Sequence, residues 1–164
     1  MPLMSGSCRW LLGIACAGVV SVAAGGCAPY ISPLQPPPYR DQVAAPYDVT
    51  WTALIRALAY DQVPLRSVAK DSGVISSDDI VSPIGVYADC GSKGDKPLEG
   101  EAIVTFTVFV RPNGGTTELQ INSKMRTFRL GKTGSLKSDS NYECVSTTRW
   151  EPNFVDTVRR YVKE

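Results

Sequence analysis

Few side chains in this 164-residue chain have the type and spacing to do chemistry. Asp78 and Asp79 are the best-placed carboxylate pair. Adjacent residues of a strand point to opposite faces, so the two could not act together on one bond. A solvated strand end is the ordinary reading. Gly91-Ser92-Lys93-Gly94 and Gly131-Lys132-Thr133-Gly134 have the composition of phosphate-loop fragments. Neither has the Walker spacing or a strand–loop–helix setting. The chain has no histidine. That removes Ser–His and Cys–His nucleophile pairs and every His-ligated metal site. A Ser–Lys pair stays open, with no one serine singled out. No enzymatic activity, metal site or cofactor is expected.

The remaining chemistry lies in the cysteines. Cys27 ends the run LLGIACAGVVSVAAGGC, which begins at Leu11 and follows Arg9. A positive start, an apolar stretch and small residues before a cleavage site make a secretory signal peptide. Leu11 to Ala24 carries no charge and is shorter than the about 20 residues that span a bilayer. Ala24-Gly25-Gly26-Cys27 resembles the lipobox of bacterial lipoproteins, with Ala24 where that family usually has a large aliphatic. The resemblance implies removal of residues 1–26 and diacylglyceryl modification of the Cys27 thiol. An ordinary signal peptide cut nearby and an uncleaved anchor are the alternatives. Cys16 fits less well, because Gly13 takes the aliphatic position and too little apolar run would remain. Cys8 precedes the run. Ala28 follows Cys27. In many members of the family an aspartate there retains the protein in the inner membrane, so alanine points to the outer membrane.

Export leads to an oxidising compartment. Cys90 and Cys144 are the two cysteines left, and they most simply form one disulfide. A pair of buried free thiols is the alternative. A closed loop of roughly 55 residues corresponds to about 4 kcal/mol on the chain-entropy estimate, an upper figure because strain is ignored. The formal charge of the chain is +1 and Arg9 leaves with the signal peptide, so the mature chain is near neutral. That points away from nucleic acid as a partner. What remains is long enough for one domain with an ordinary core.

The elements follow in order. Residues 27–47 hold the cysteine and a stretch with six prolines. Proline lacks the amide donor, so a semi-rigid tether is expected. In polyproline II it would hold the domain up to roughly 60 Å from the lipid. Residues 48–164 form the domain. Trp51, Leu54, Ile55, Leu58 and Ala59 make the stripe of an amphipathic helix over 48–61, capped by Asp48 or Thr50 and stopped by Pro64. Residues 65–70 and 73–80 read as short strands. Residues 82–100, rich in Gly and Pro around Cys90, read as a loop. Residues 101–111 are the strongest strand, apolar on both faces. Pro112-Asn113-Gly114-Gly115 is a hairpin turn. Thr117, Leu119, Ile121 and Met125 then point inward from a strand whose other face is polar. A second loop, 131–141, leads to a last strand with Cys144. A helix begins at Trp150 and carries the stripe Phe154, Val155, Val158, Tyr161 and Val162. This order predicts an α+β fold: a single antiparallel sheet with the N-terminal and C-terminal helices packed on one face.

The Trp helix VTWTALIRALAYDQVPL, the strand GVISSDD, the meander and the C-terminal helix resemble the helix-grip domains of BamC-type lipoproteins, accessory subunits of the outer-membrane β-barrel assembly machinery. Those proteins have two such domains, and this chain has room for one. The Cys90–Cys144 pair is additional. The resemblance implies a lipid-anchored, periplasm-facing accessory or scaffold subunit in outer-membrane assembly, held in an envelope protein complex. A small-molecule or lipid carrier is the alternative, because helix-grip sheets can enclose a cavity. An envelope hydrolase is disfavoured by the missing histidine. Lys124, Arg126, Arg129, Lys132 and Lys137 follow one another with no acid until Asp139. Such a run could touch anionic headgroups or an acidic protein surface. Its plainer reading is a solvated sheet edge.

Overall fold

A computed structural model describes residues 29–128 and 142–164. The expected signal peptide, residues 1–26, and Cys27 lie outside the described residues, as do Arg129, Lys132 and Lys137. The strands are β1 (Tyr30–Ile31), β2 (Tyr39–Val43), β3 (Leu65–Ala69), β4 (Val74–Ser77), β5 (Ile80–Pro83), β6 (Ala88–Asp89), β7 (Ser92–Lys93), β8 (Lys96–Pro97), β9 (Glu101–Asn113), β10 (Thr116–Phe128) and β11 (Glu143–Ser146). The helices are α1 (Tyr47–Tyr60) and α2 (Trp150–Val162).

The β9–β10 hairpin is the frame. It pairs without interruption from Thr116–Asn113 to Phe128–Glu101. Its β-branched and aromatic residues suit a pleated surface, and Gly114, with φ 61°, takes a turn conformation that L side chains rarely adopt. Beyond β9, β4 pairs with one half of the strand and β5 with the other. Asp78 and Asp79 separate the two. At the break the Ser77 hydroxyl accepts the Phe106 N–H at 2.8 Å, so the buried amide keeps a partner. Beyond β10, β2 pairs with residues 117–121 and β11 with Met125 and Arg126.

The expected single sheet with both helices on one face is not what the chain forms. The strands divide into an eight-stranded sheet and a separate three-stranded sheet, β1-β7-β8. The loop expected over 82–100 supplies β6, β7 and β8, each two residues long. Pieces so short carry no periodicity, and only their partners make them strands.

Part of the stretch expected as a tether over 27–47 carries strands: Tyr30–Ile31 and Tyr39–Val43. Tyr39 follows the last proline of the Pro36–Pro38 run, and from there every amide can donate. β2 uses them to join β10. Upstream, β1 crosses the disulfide loop. The Tyr30 ring lies 4.3 Å from that of Tyr142. Its hydroxyl donates to the Cys90 carbonyl at 3.1 Å. Gly91 lies beneath at φ 76°, where a Cβ would stand 2.1 Å from the Ile31 carbonyl oxygen. No side chain fits there.

The core lies between the inward residues of the hairpin and the helices. Ala102, Val104, Phe106, Val108 and Val110 from β9 meet Leu54, Leu58, Phe154 and Val158. α1 begins after Pro46 and has no side-chain cap, so neither Asp48 nor Thr50 plays that part. Its buried face includes Ala53 and Ala57 rather than Ala59. These small side chains let α2 pack closely on α1. Trp150 stacks on Phe106 at 4.0 Å and on Phe154 at 4.6 Å, filling the space under α2.

Candidate functional site

The basic run begins on β10. Lys124 and Arg126 alternate with the buried Met125 and Thr127, so both project from the outward face of the sheet. Thr105 and Ile103 of β9 stand opposite them. The Thr105 hydroxyl donates to the Lys124 carbonyl at 3.2 Å. Lys124 is exposed and forms no ion pair among the described residues. Arg126 is different. Its guanidinium lies 3.8 Å from Asp79, and Glu143 of β11 stands directly across from it.

Asp78 and Asp79 therefore do more than end a strand. Arg66 on β3 donates to Asp78 at 2.7 Å and lies 3.7 Å from Asp79. The hydrogen bond from Arg66, and then the Asp79 backbone N–H, hold the Asp78 carboxyl below the usual carboxylate range. These pairs are exposed, so each contributes little to stability. Their consequence is local: acids from β11 and from the β4–β5 break counter one of the two described cations. This part of the face is of mixed sign. Half-buried Thr105, Thr107, Phe109, Gln120 and Asn122 continue it across the hairpin.

Cys90 and Cys144 are bridged, with Cα atoms 4.1 Å apart. The bridge joins β11 to the segment between β6 and β7.

The sequence reading did not single out a cleft of about 300 Å³ between the Pro36–Pro38 run and β11. It exists because β2 and β11 leave residues 122–124 of β10 without a strand partner on that side. Glu151 of α2 forms part of its wall and is 3% exposed. One carboxylate oxygen accepts the Ser146 hydroxyl at 2.5 Å; the other has no hydrogen-bond partner among the described residues and is covered from solvent. The Thr148 N–H donates to Ser146 at 2.9 Å, with Thr148 held at φ 56°. This relay ties the end of β11 to the first turn of α2. No local signal marks it, since Ser146 and Glu151 read as an ordinary strand end and helix start.

Tyr39 lines the same cleft. Its hydroxyl donates to Asp41 at 2.9 Å, and Arg159 donates to the other Asp41 oxygen at 2.6 Å. Burial, then the bond to Asp41, pushes the Tyr39 phenol from 10.0 up to about 12. A folded-state value above the unfolded one means that this contribution is present below pH 10 and lost as pH rises toward 12. Urea midpoints across that range should fall more steeply for the wild type than for Tyr39→Phe. Equal slopes would show that Tyr39 does not carry the effect.

No protein-family model matches the chain, and no curated protein matches its sequence. Among solved structures, a crystal structure of a DUF4468 family protein from Bacteroides ovatus is similar at 10% identity with a TM-score of 0.34, covering 65% of this chain. The chain spans 59% of that protein's length.

Proposed function

We propose that this chain is a lipid-anchored protein of the outer membrane, facing the periplasm, whose domain is a non-enzymatic accessory or scaffold subunit in envelope assembly. The observation that carries the reading is the Cys90–Cys144 bridge. A structural disulfide belongs to an oxidising compartment, the destination implied by the apolar run that ends in Ala-Gly-Gly-Cys27. The filled space under α2 favours a scaffold over a carrier, since Phe106, Trp150 and Phe154 occupy the room a ligand would need. The proposed partner surface is the outward face of β9 and β10 around Lys124; Arg129, Lys132 and Lys137, the other basic residues expected to take part, lie outside the described residues.

Two measurements test this. Cys27→Ser should abolish labelling by a clickable palmitate analogue and release the protein from the membrane fraction. Labelling that persists in the variant would refute the anchor. Lys124→Glu should leave the fold intact, since exposed substitutions usually cost within about 0.5 kcal/mol. It should reduce the yield of partners crosslinked in membranes and weaken the salt dependence of their recovery. An unchanged yield and salt dependence would move the partner surface elsewhere. Arg126→Glu is the poorer probe, because it would also set a third acid beside Asp79 and Glu143.

A further inference from the structure

We infer that the domain rests directly on the bilayer and that the small β1-β7-β8 sheet, with the exposed side chains of Ile31 and Leu34, is its phospholipid-contact surface. The inference rests on the proposed acylation of Cys27. It follows from how the described chain is held at its start, close in sequence to Cys27. The Pro29 carbonyl accepts the Gly94 N–H at 3.0 Å. Tyr30 and Ile31 then pair with Lys93 and Ser92. The Tyr30 hydroxyl holds the Cys90 carbonyl, and Gly91 admits the Ile31 backbone at a distance no side chain allows. Pro29, two residues after Cys27, is thus already held to the domain. Two residues span at most about 7 Å. The Pro-rich segment is downstream of this attachment, so its length adds nothing to the distance between lipid and domain.

The surface nearest the anchor has the chemistry of a membrane contact. Leu34 is 92% exposed and Ile31 is 56% exposed. Lys93 and Lys96 are exposed and stand opposite each other across the turn at Gly94-Asp95. With Asp95 between them, the hairpin tip keeps one net positive charge. It would sit within about one Debye length of the headgroups, roughly 8 Å at physiological salt, where anionic phospholipid attracts lysine. The β9–β10 turn marks the opposite end. From Gly115 to Met125, which pairs with the disulfide-bonded Cys144, β10 runs about 33 Å at 3.3 Å per residue.

Depth-dependent quenching tests this. The full-length lipoprotein, purified from membranes, would be reconstituted in vesicles of phosphatidylethanolamine and phosphatidylglycerol carrying brominated acyl chains. Leu34→Trp reports on the proposed contact. Gly115→Trp reports on the far end, where a Cβ meets nothing within 4 Å. The expected result is loss of most of the emission added by Leu34→Trp and none of that added by Gly115→Trp. Adding Tyr30→Ala to Leu34→Trp should restore the emission while the protein still floats with the vesicles. Protein that floats with equal quenching at the two positions overturns the contact surface and leaves the anchor standing. Protein that does not float overturns the anchor, and this inference with it.

Discussion

Replacing both bridged cysteines, Cys90→Ala with Cys144→Ala, is expected to lower stability by about 3–4 kcal/mol. The bridge spans 54 residues of sequence, so the unfolded chain gains the freedom of a long loop when it is cut. For a domain of this size the melting temperature should fall by about 10–15 °C. The urea m value should rise, because an unfolded chain without the crosslink exposes more surface. The native state also contributes. Cys90 lies between β6 and β7, which pair over only two residues each with β11 and β1. Such short ladders cannot position the 82–100 segment alone. The strap at Tyr30 and the close approach at Gly91 depend on that segment, so both should loosen. Limited proteolysis between Pro29 and Leu34 would read this directly. A loss below about 1 kcal/mol would show that the segment is held by its other contacts.

Phe154→Ala is expected to be as damaging, at about 3–5 kcal/mol. Phe154 is fully buried and lies 15° from coplanar with Trp150, which in turn stacks on Phe106 of β9. Truncation removes the transfer energy of the ring and leaves a cavity that Trp150 cannot fill without abandoning Phe106. Stacking adds about 0.5–1.5 kcal/mol beyond burial. Phe154→Leu should recover more than half of the loss, because it refills most of the volume. Chemical denaturation of the three proteins would check the order. If Phe154→Ala costs less than about 1.5 kcal/mol, the aromatic stack is not the centre of the domain.

Both helices and the β9–β10 hairpin are legible in the amino-acid sequence because their signals are local. The stripes of α1 and α2 repeat at helical spacing, the hairpin strands are dense in β-branched and aromatic residues, and two glycines mark its turn. Cysteine counting likewise reaches the Cys90–Cys144 pair. It does so by elimination, and elimination says nothing of what the bridge holds.

Partners far away in sequence decide the remainder. Tyr39–Val43 has no strand pattern of its own, and it becomes β2 because the first half of β10 offers an open edge. Tyr30–Ile31 lies among prolines, and the disulfide loop makes it a strand. Those two pairings turn an expected spacer into part of the body and divide the strands between two sheets. In the same way Arg126, one of a row of cations in the sequence, meets Asp79 because β9 carries β5 beside it and β10 on its other side. A single sequence encodes each segment's own preference. Which open edge, cation or thiol it meets is set by the packing of the whole chain, because a two-residue strand or an exposed ion pair has too little energy of its own to specify its partner.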